Sequence, residues 1–114
     1  MTWALRIWDE AARDIRVLDR GVQVRVNAKV SQILAYPRVE HPLSGELAGC
    51  YSVRVADKYR IVFRLILGTG ELEVIAVGKR ENLKVYRIAA ERIANRVVEA
   101  EQHDDPENRT AEPN

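Results

Sequence analysis

A chain of 114 residues that is 46% hydrophobic, with a formal net charge of +1, is sized for one domain with a single core. Its one cysteine, Cys50, excludes an internal disulfide and points to a reducing compartment. Arg64 and the turns interrupt the longest apolar runs and no signal-peptide core accompanies Trp3–Trp8, so a cytoplasmic protein without a membrane span is expected. The small net charge conceals a division. Residues 1–98 carry 17 Lys and Arg against 11 Asp and Glu, whereas 99–114 hold Arg109 against six acidic residues. A basic body suits a polyanionic partner. The acidic, polar stretch 99–114 reads as a disordered tail behind a domain of residues 1–98.

Trp3 to Trp8 reads as a strand, with Trp3, Leu5 and Ile7 on one face. Asp9 is placed to cap a helix that starts at Glu10 and carries Ile15 and Leu18 inward. After Asp19-Arg20-Gly21 a second helix is expected from about Val22 to Tyr36. Its β-branched valines are poor helix formers. The spacing Val22, Val26, Val30, Ile33 and Leu34 nevertheless makes a helical stripe, and Pro37 ends it by pushing Tyr36 out of the α region. The two helices form an antiparallel hairpin able to cover a sheet. A loop follows, anchored by Leu43 and Leu47.

Cys50 to Lys79 contains three strand-like runs. Tyr51, Val53 and Val55 alternate with Ser52 and Arg54; Tyr59, Ile61, Phe63 and Leu65 alternate with Arg60, Val62 and Arg64. Directly opposed residues of an antiparallel pair share a face. A two-residue turn would set Arg54 against Ile61. A three-residue turn, Ala56-Asp57-Lys58, pairs Arg54 with Arg60 and is the expected connection. Like charges so opposed are mildly destabilising, which suggests a bound anion. Gly68-Thr69-Gly70 makes the next turn, Leu72 to Gly78 a buried strand, and a helix with a modest apolar stripe starts near Leu83. The expected fold is α+β: an N-terminal strand, a helical hairpin, a three-stranded antiparallel meander and a C-terminal helix. One sheet face is expected to be oily and the other cationic.

His41, His103 and Cys50 lack metal-ligand spacing, and Gly68-Thr69-Gly70 is too short for a phosphate loop and lacks the following Lys-Ser/Thr. No cofactor and no metal are expected. What remains is a set of cations, Arg54, Arg60, Arg64, Lys58, Lys79 and Arg80, with one phenol, Tyr86. Guanidinium binds phosphate bidentately and stays charged, so such a set suits phosphoryl chemistry with a crowded anionic transition state. It supplies no general base. The reading requires Arg60 and Arg80 to lie on the same side of the sheet.

The segments Leu43-Ser-Gly-Glu-Leu-Ala-Gly-Cys-Tyr-Ser-Val-Arg-Val, Lys58-Tyr-Arg-Ile-Val-Phe, Val74-Ile-Ala-Val-Gly-Lys-Arg-Glu and Val85-Tyr-Arg resemble the RelE/ParE toxin superfamily, and its RelE branch most closely. The resemblance spans about residues 3–96. It implies the toxin of a type II toxin–antitoxin module that cuts mRNA in the ribosomal A site without a metal, the ribose 2′-OH attacking the adjacent phosphate. It implies a RelB-like antitoxin, the ribosome and mRNA as partners. By the same resemblance Arg60 stabilises the transition-state phosphate, Arg80 serves the leaving oxygen, Tyr86 stacks on the mRNA base, and Arg54 stands at a family lysine. Lys79, Arg64, Lys58 and Ser52 would complete an RNA-binding face. Ser52 departs from the pattern, for the family has a lysine there that helps the 2′-OH lose its proton; either Arg54 or a ribosomal group compensates, or cleavage is slow. Two alternatives remain: a ParE-like inhibitor of DNA gyrase, and a weakened member that only binds its antitoxin.

Overall fold

The computed structural model describes residues 3–37, 39 and 41–104. Strand β1 (Ala4–Ile7) leads into helices α1 (Asp9–Arg16) and α2 (Arg20–Ala35). Strands β2 (Cys50–Val55), β3 (Tyr59–Ile66) and β4 (Glu71–Lys79) follow, and helix α3 (Lys84–Asp104) closes the chain. The sheet order is β1-β4-β3-β2; β2–β3–β4 is an antiparallel meander and β1 lies parallel to β4. This is the expected α+β architecture.

Local boundaries shift for identifiable reasons. Trp8, not Asp9, is the residue before α1, and its buried indole makes no capping bond. Asp9 instead opens the helix, where its charge favours the N-terminal amides. Helix α2 begins at Arg20, with Asp19 before it. Tyr36 leaves helical geometry at φ −152° and ψ 81°, as Pro37 demands. Val26, Val30 and Ile33 are buried and Val22 and Leu34 pack beside them, so the expected stripe faces the core. Leu47 is buried and Leu43 half-buried against the same core. Helix α3 runs to Asp104, so residues 99–104 of the expected tail continue the helix and 105–114 lie outside the described residues.

The β2–β3 connection is the three-residue turn. Val55 pairs with Tyr59, Arg54 with Arg60 and Val53 with Ile61. Ala56 and Asp57 both take positive φ, 48° and 65°, to make it. The expectation of one oily and one cationic face is corrected. Val62 and Ala76 are fully buried and Ser52 is 8% exposed, although all three lie on the arginine side by register. Helix α3 covers that side: Tyr86 meets Ser52, and Val85 lies against Gly78. With the α2 stripe on the opposite face, the sheet is buried on both sides and the cations emerge only where α3 stops covering it.

Strand β4 carries a bulge at Ile75, since Val62 pairs with Ala76 but Phe63 with Val74. Strand β1 pairs with β4 only through Val74, and α1 takes over that edge. The Val77 amide donates to Asp14 Oδ2 at 3.0 Å. Arg92 of α3 donates to both Asp14 oxygens, at 2.7 and 2.9 Å, and to the Ile75 carbonyl at 3.0 Å. The Asp14 carboxylate, more than any other group, holds the Arg92 guanidinium above its usual pKa. One ion pair thus satisfies the bulged strand and locks α1 to α3.

Candidate functional site

The cations collect where the β2–β3 turn meets the end of β4. Tyr59 pairs with Lys79 and Arg60 with Gly78, and the Arg80 amide donates to the Lys58 carbonyl at 3.1 Å. Lys58, Arg60, Lys79 and Arg80 line one cleft of about 380 Å³, together with Asp57 and Glu81. Arg60 and Arg80 therefore line a common cleft at the end of the sheet. Four cations against two carboxylates leave the cleft positive.

Arg60 is held by carbonyls. Its Nη1 donates to Asp57 O at 3.2 Å and Tyr59 O at 3.0 Å, which orients the guanidinium without neutralising it. Among the described residues, the ion pairs engage Arg6, Arg64, Arg92 and Arg96 and leave the cleft cations out. An oriented Arg60 with a second guanidinium, that of Arg80, lining the same cleft can accept a phosphate and stabilise charge that develops on it.

Tyr86 comes to the same sheet face from the first turn of α3, its hydroxyl 3.0 Å from Ser52 Oγ. Ser52 and Arg54 alternate along β2 on that face, and Arg54 is the cross-strand partner of Arg60. The phenol therefore meets β2 two residues from Arg54 on the same face. Between Arg80 and Tyr86 the chain passes through two non-glycine residues at positive φ, Asn82 at 56° and Leu83 at 58°. Leu83 is poorly suited to that conformation, and such strain often marks functional segments.

Two sequence expectations change. Arg64 does not join the cluster. Its Nε donates to Glu73 at 2.7 Å and its guanidinium lies over the Trp8 ring at 5.3 Å. Alternation put it on the right face; its place opposite Cys50 puts it four residues along β3 from Arg60, under α3. Arg54 is exposed and, although it pairs with Arg60, lines not that cleft but a separate one of about 340 Å³, with Arg25, Lys29 and Gln32 of α2. Arg25 and Lys29 had no sequence signal beyond an i, i+4 pair on the wet side of a helix. Among the described residues no helix is long and apolar enough to cross a membrane, and no group of three or more His, Cys, Asp or Glu could hold a metal.

No family model matches the chain. It is 31% identical over 94 residues to the mRNA interferase toxin RelE of Escherichia coli, covering 82% of this chain and 99% of that protein. An arginine double mutant of the E. coli toxin RelE in the free state superposes with a TM-score of 0.70 at 32% identity, over 82% of this chain and 99% of the other. The toxin in the intact E. coli RelBE toxin–antitoxin complex gives 0.62 at 29% identity, over 68% and 96%.

Proposed function

This chain belongs to the RelE toxin family, and from that premise we propose that it is the toxin of a type II toxin–antitoxin module, a cytoplasmic endoribonuclease that cuts mRNA in the ribosomal A site. The ribose 2′-oxygen attacks the adjacent phosphorus, the bond to the 5′-oxygen breaks, and a 2′,3′-cyclic phosphate and a 5′-hydroxyl result. Arg60, fixed by the turn carbonyls, binds the equatorial oxygens of the crowded phosphorane. Arg80, in the same cleft, stabilises the departing 5′-oxygen, which takes its proton from water. Tyr86 stacks on the base beside the scissile bond, and Arg54, Lys58 and Lys79 hold the flanking backbone. The reaction draws its rate from position and charge and uses no metal. None of the guanidinium groups can accept the 2′-OH proton, and a group of the ribosome takes it.

The observation that carries this reading is Arg60 and Arg80 lining one cleft without an ion-pair partner among the described residues. The partner that silences the toxin is a RelB-like antitoxin, one segment of which displaces α3, and with it Tyr86, from the sheet. On programmed ribosomes the purified toxin is expected to cut in the A site, and Arg80→Ala to lower the rate by about 10²-fold or more, the scale of losing one transition-state donor. Intact mRNA together with blocked gyrase supercoiling would replace this reading with a ParE-like one.

A further inference from the structure

Ser52 is the one polar side chain among the buried residues described, 8% exposed on a sheet face that α3 covers. Its hydroxyl lies 3.0 Å from the Tyr86 hydroxyl, and either atom can donate. Tyr86 enters from the start of α3, just after the positive-φ pair Asn82 and Leu83. An aromatic ring attached there has two free torsions, and a hydrogen bond at its far tip fixes both. Ser52, which holds the ring tip, lies two residues along β2 from Arg54, whose cross-strand partner is Arg60.

We propose that Ser52 is a positioning residue for Tyr86: its hydroxyl tethers the phenol so that the ring presents a set face to a nucleobase beside the arginine cleft. This rests on the ribonuclease reading. Ser52 is then no vacancy left by a missing lysine. Ser52 is buried with its hydroxyl against the phenol, so a lysine there has to carry its ammonium past the ring to reach water. The chain has a preset stacking platform where a charge could have stood.

The test is a mutant cycle on programmed ribosomes, at saturating ribosome, with ¹³C spectra of the tyrosine rings in the free toxin. Ser52→Ala and Tyr86→Phe are each expected to slow cleavage roughly 5- to 10-fold, the scale of one hydrogen bond. The double variant should be no slower than Tyr86→Phe alone, and Ser52→Thr should keep most of the rate. The apparent affinity for the ribosome should change less than about 2-fold, because phosphate contacts dominate it. In the spectra, Ser52→Ala should shift the Tyr86 ring signal, identified by its loss in Tyr86→Phe, while Arg80→Ala leaves it in place. Losses that multiply in the double variant, an unmoved Tyr86 signal in Ser52→Ala, or faster cleavage by Ser52→Lys would each overturn the proposal. A wild-type toxin that leaves mRNA intact would end the ribonuclease reading, and the ring spectra would still decide whether Ser52 holds Tyr86.

Discussion

The two ends of the α3-covered sheet face hold arginines in opposite ways. At one end Arg64 is bonded to Glu73, and the Trp8 ring receives Arg64 at 5.3 Å and Arg96 at 3.7 Å. Nearby, Arg92 is bidentate on Asp14. At the other end, among the described residues, Arg60 is bonded only to carbonyls, and Arg80 lines the same cleft. The first end uses guanidinium as mortar, because a carboxylate cancels the charge and an aromatic face or a carbonyl takes up the rest. The second keeps the charge available. An arginine's partner, more than its exposure or its place in an alternating pattern, separates the two roles.

Substitutions can break this contrast. Arg60→Ala should lower A-site cleavage by about 10²-fold and leave urea unfolding nearly unchanged, since it removes charge from a cleft and not from the packed interior. Arg92→Ala should do the reverse. It leaves Asp14 facing the Val77 amide without its cation and removes a donor from the Ile75 carbonyl. A loss of about 3 kcal/mol is expected in urea unfolding, at the lower end for a buried pair because both side chains keep some solvent access. Arg64→Ala sharpens the comparison: cleavage should stay within about 2-fold while stability falls by about 1 kcal/mol. A cleavage loss near that of Arg60→Ala would return Arg64 to the RNA-binding set.

The smallest effect concerns Cys50. Burial, the largest influence, raises its thiol pKa, against an opposing pull from Arg64. The folded protein therefore keeps the neutral thiol at a pH where the unfolded chain begins to ionise. Its contribution to stability is complete below the unfolded thiol pKa and declines as pH rises through the folded one. Alkylation of the native protein at pH 8 should be slow and should accelerate in urea; rapid native alkylation would show an open thiol.

The sequence disclosed the β2–β3 register because charge parity admits only one turn length, and the coordinates pair Arg54 with Arg60 accordingly. It disclosed the α2 stripe because the spacing persists over four turns. It could not disclose the Asp14–Arg92 lock, whose partners are 78 residues apart, or the bulge at Ile75, which sits in a uniformly apolar run. Arg64 was grouped with Arg54 and Arg60 because period two reports a face and says nothing of position along it. Nor could the sequence disclose the Ser52–Tyr86 hydrogen bond, because the phenol approaches from a helix 34 residues later.

The parallel pairing of β1 with β4 has a consequence for the order of synthesis. Ala4 to Ile7 find their only strand partner at Glu71 to Val74. A chain emerging from the ribosome thus carries an unpaired β1 until β4 has been made, and Arg80 follows just after that strand. The cationic cleft and the completed sheet arrive together.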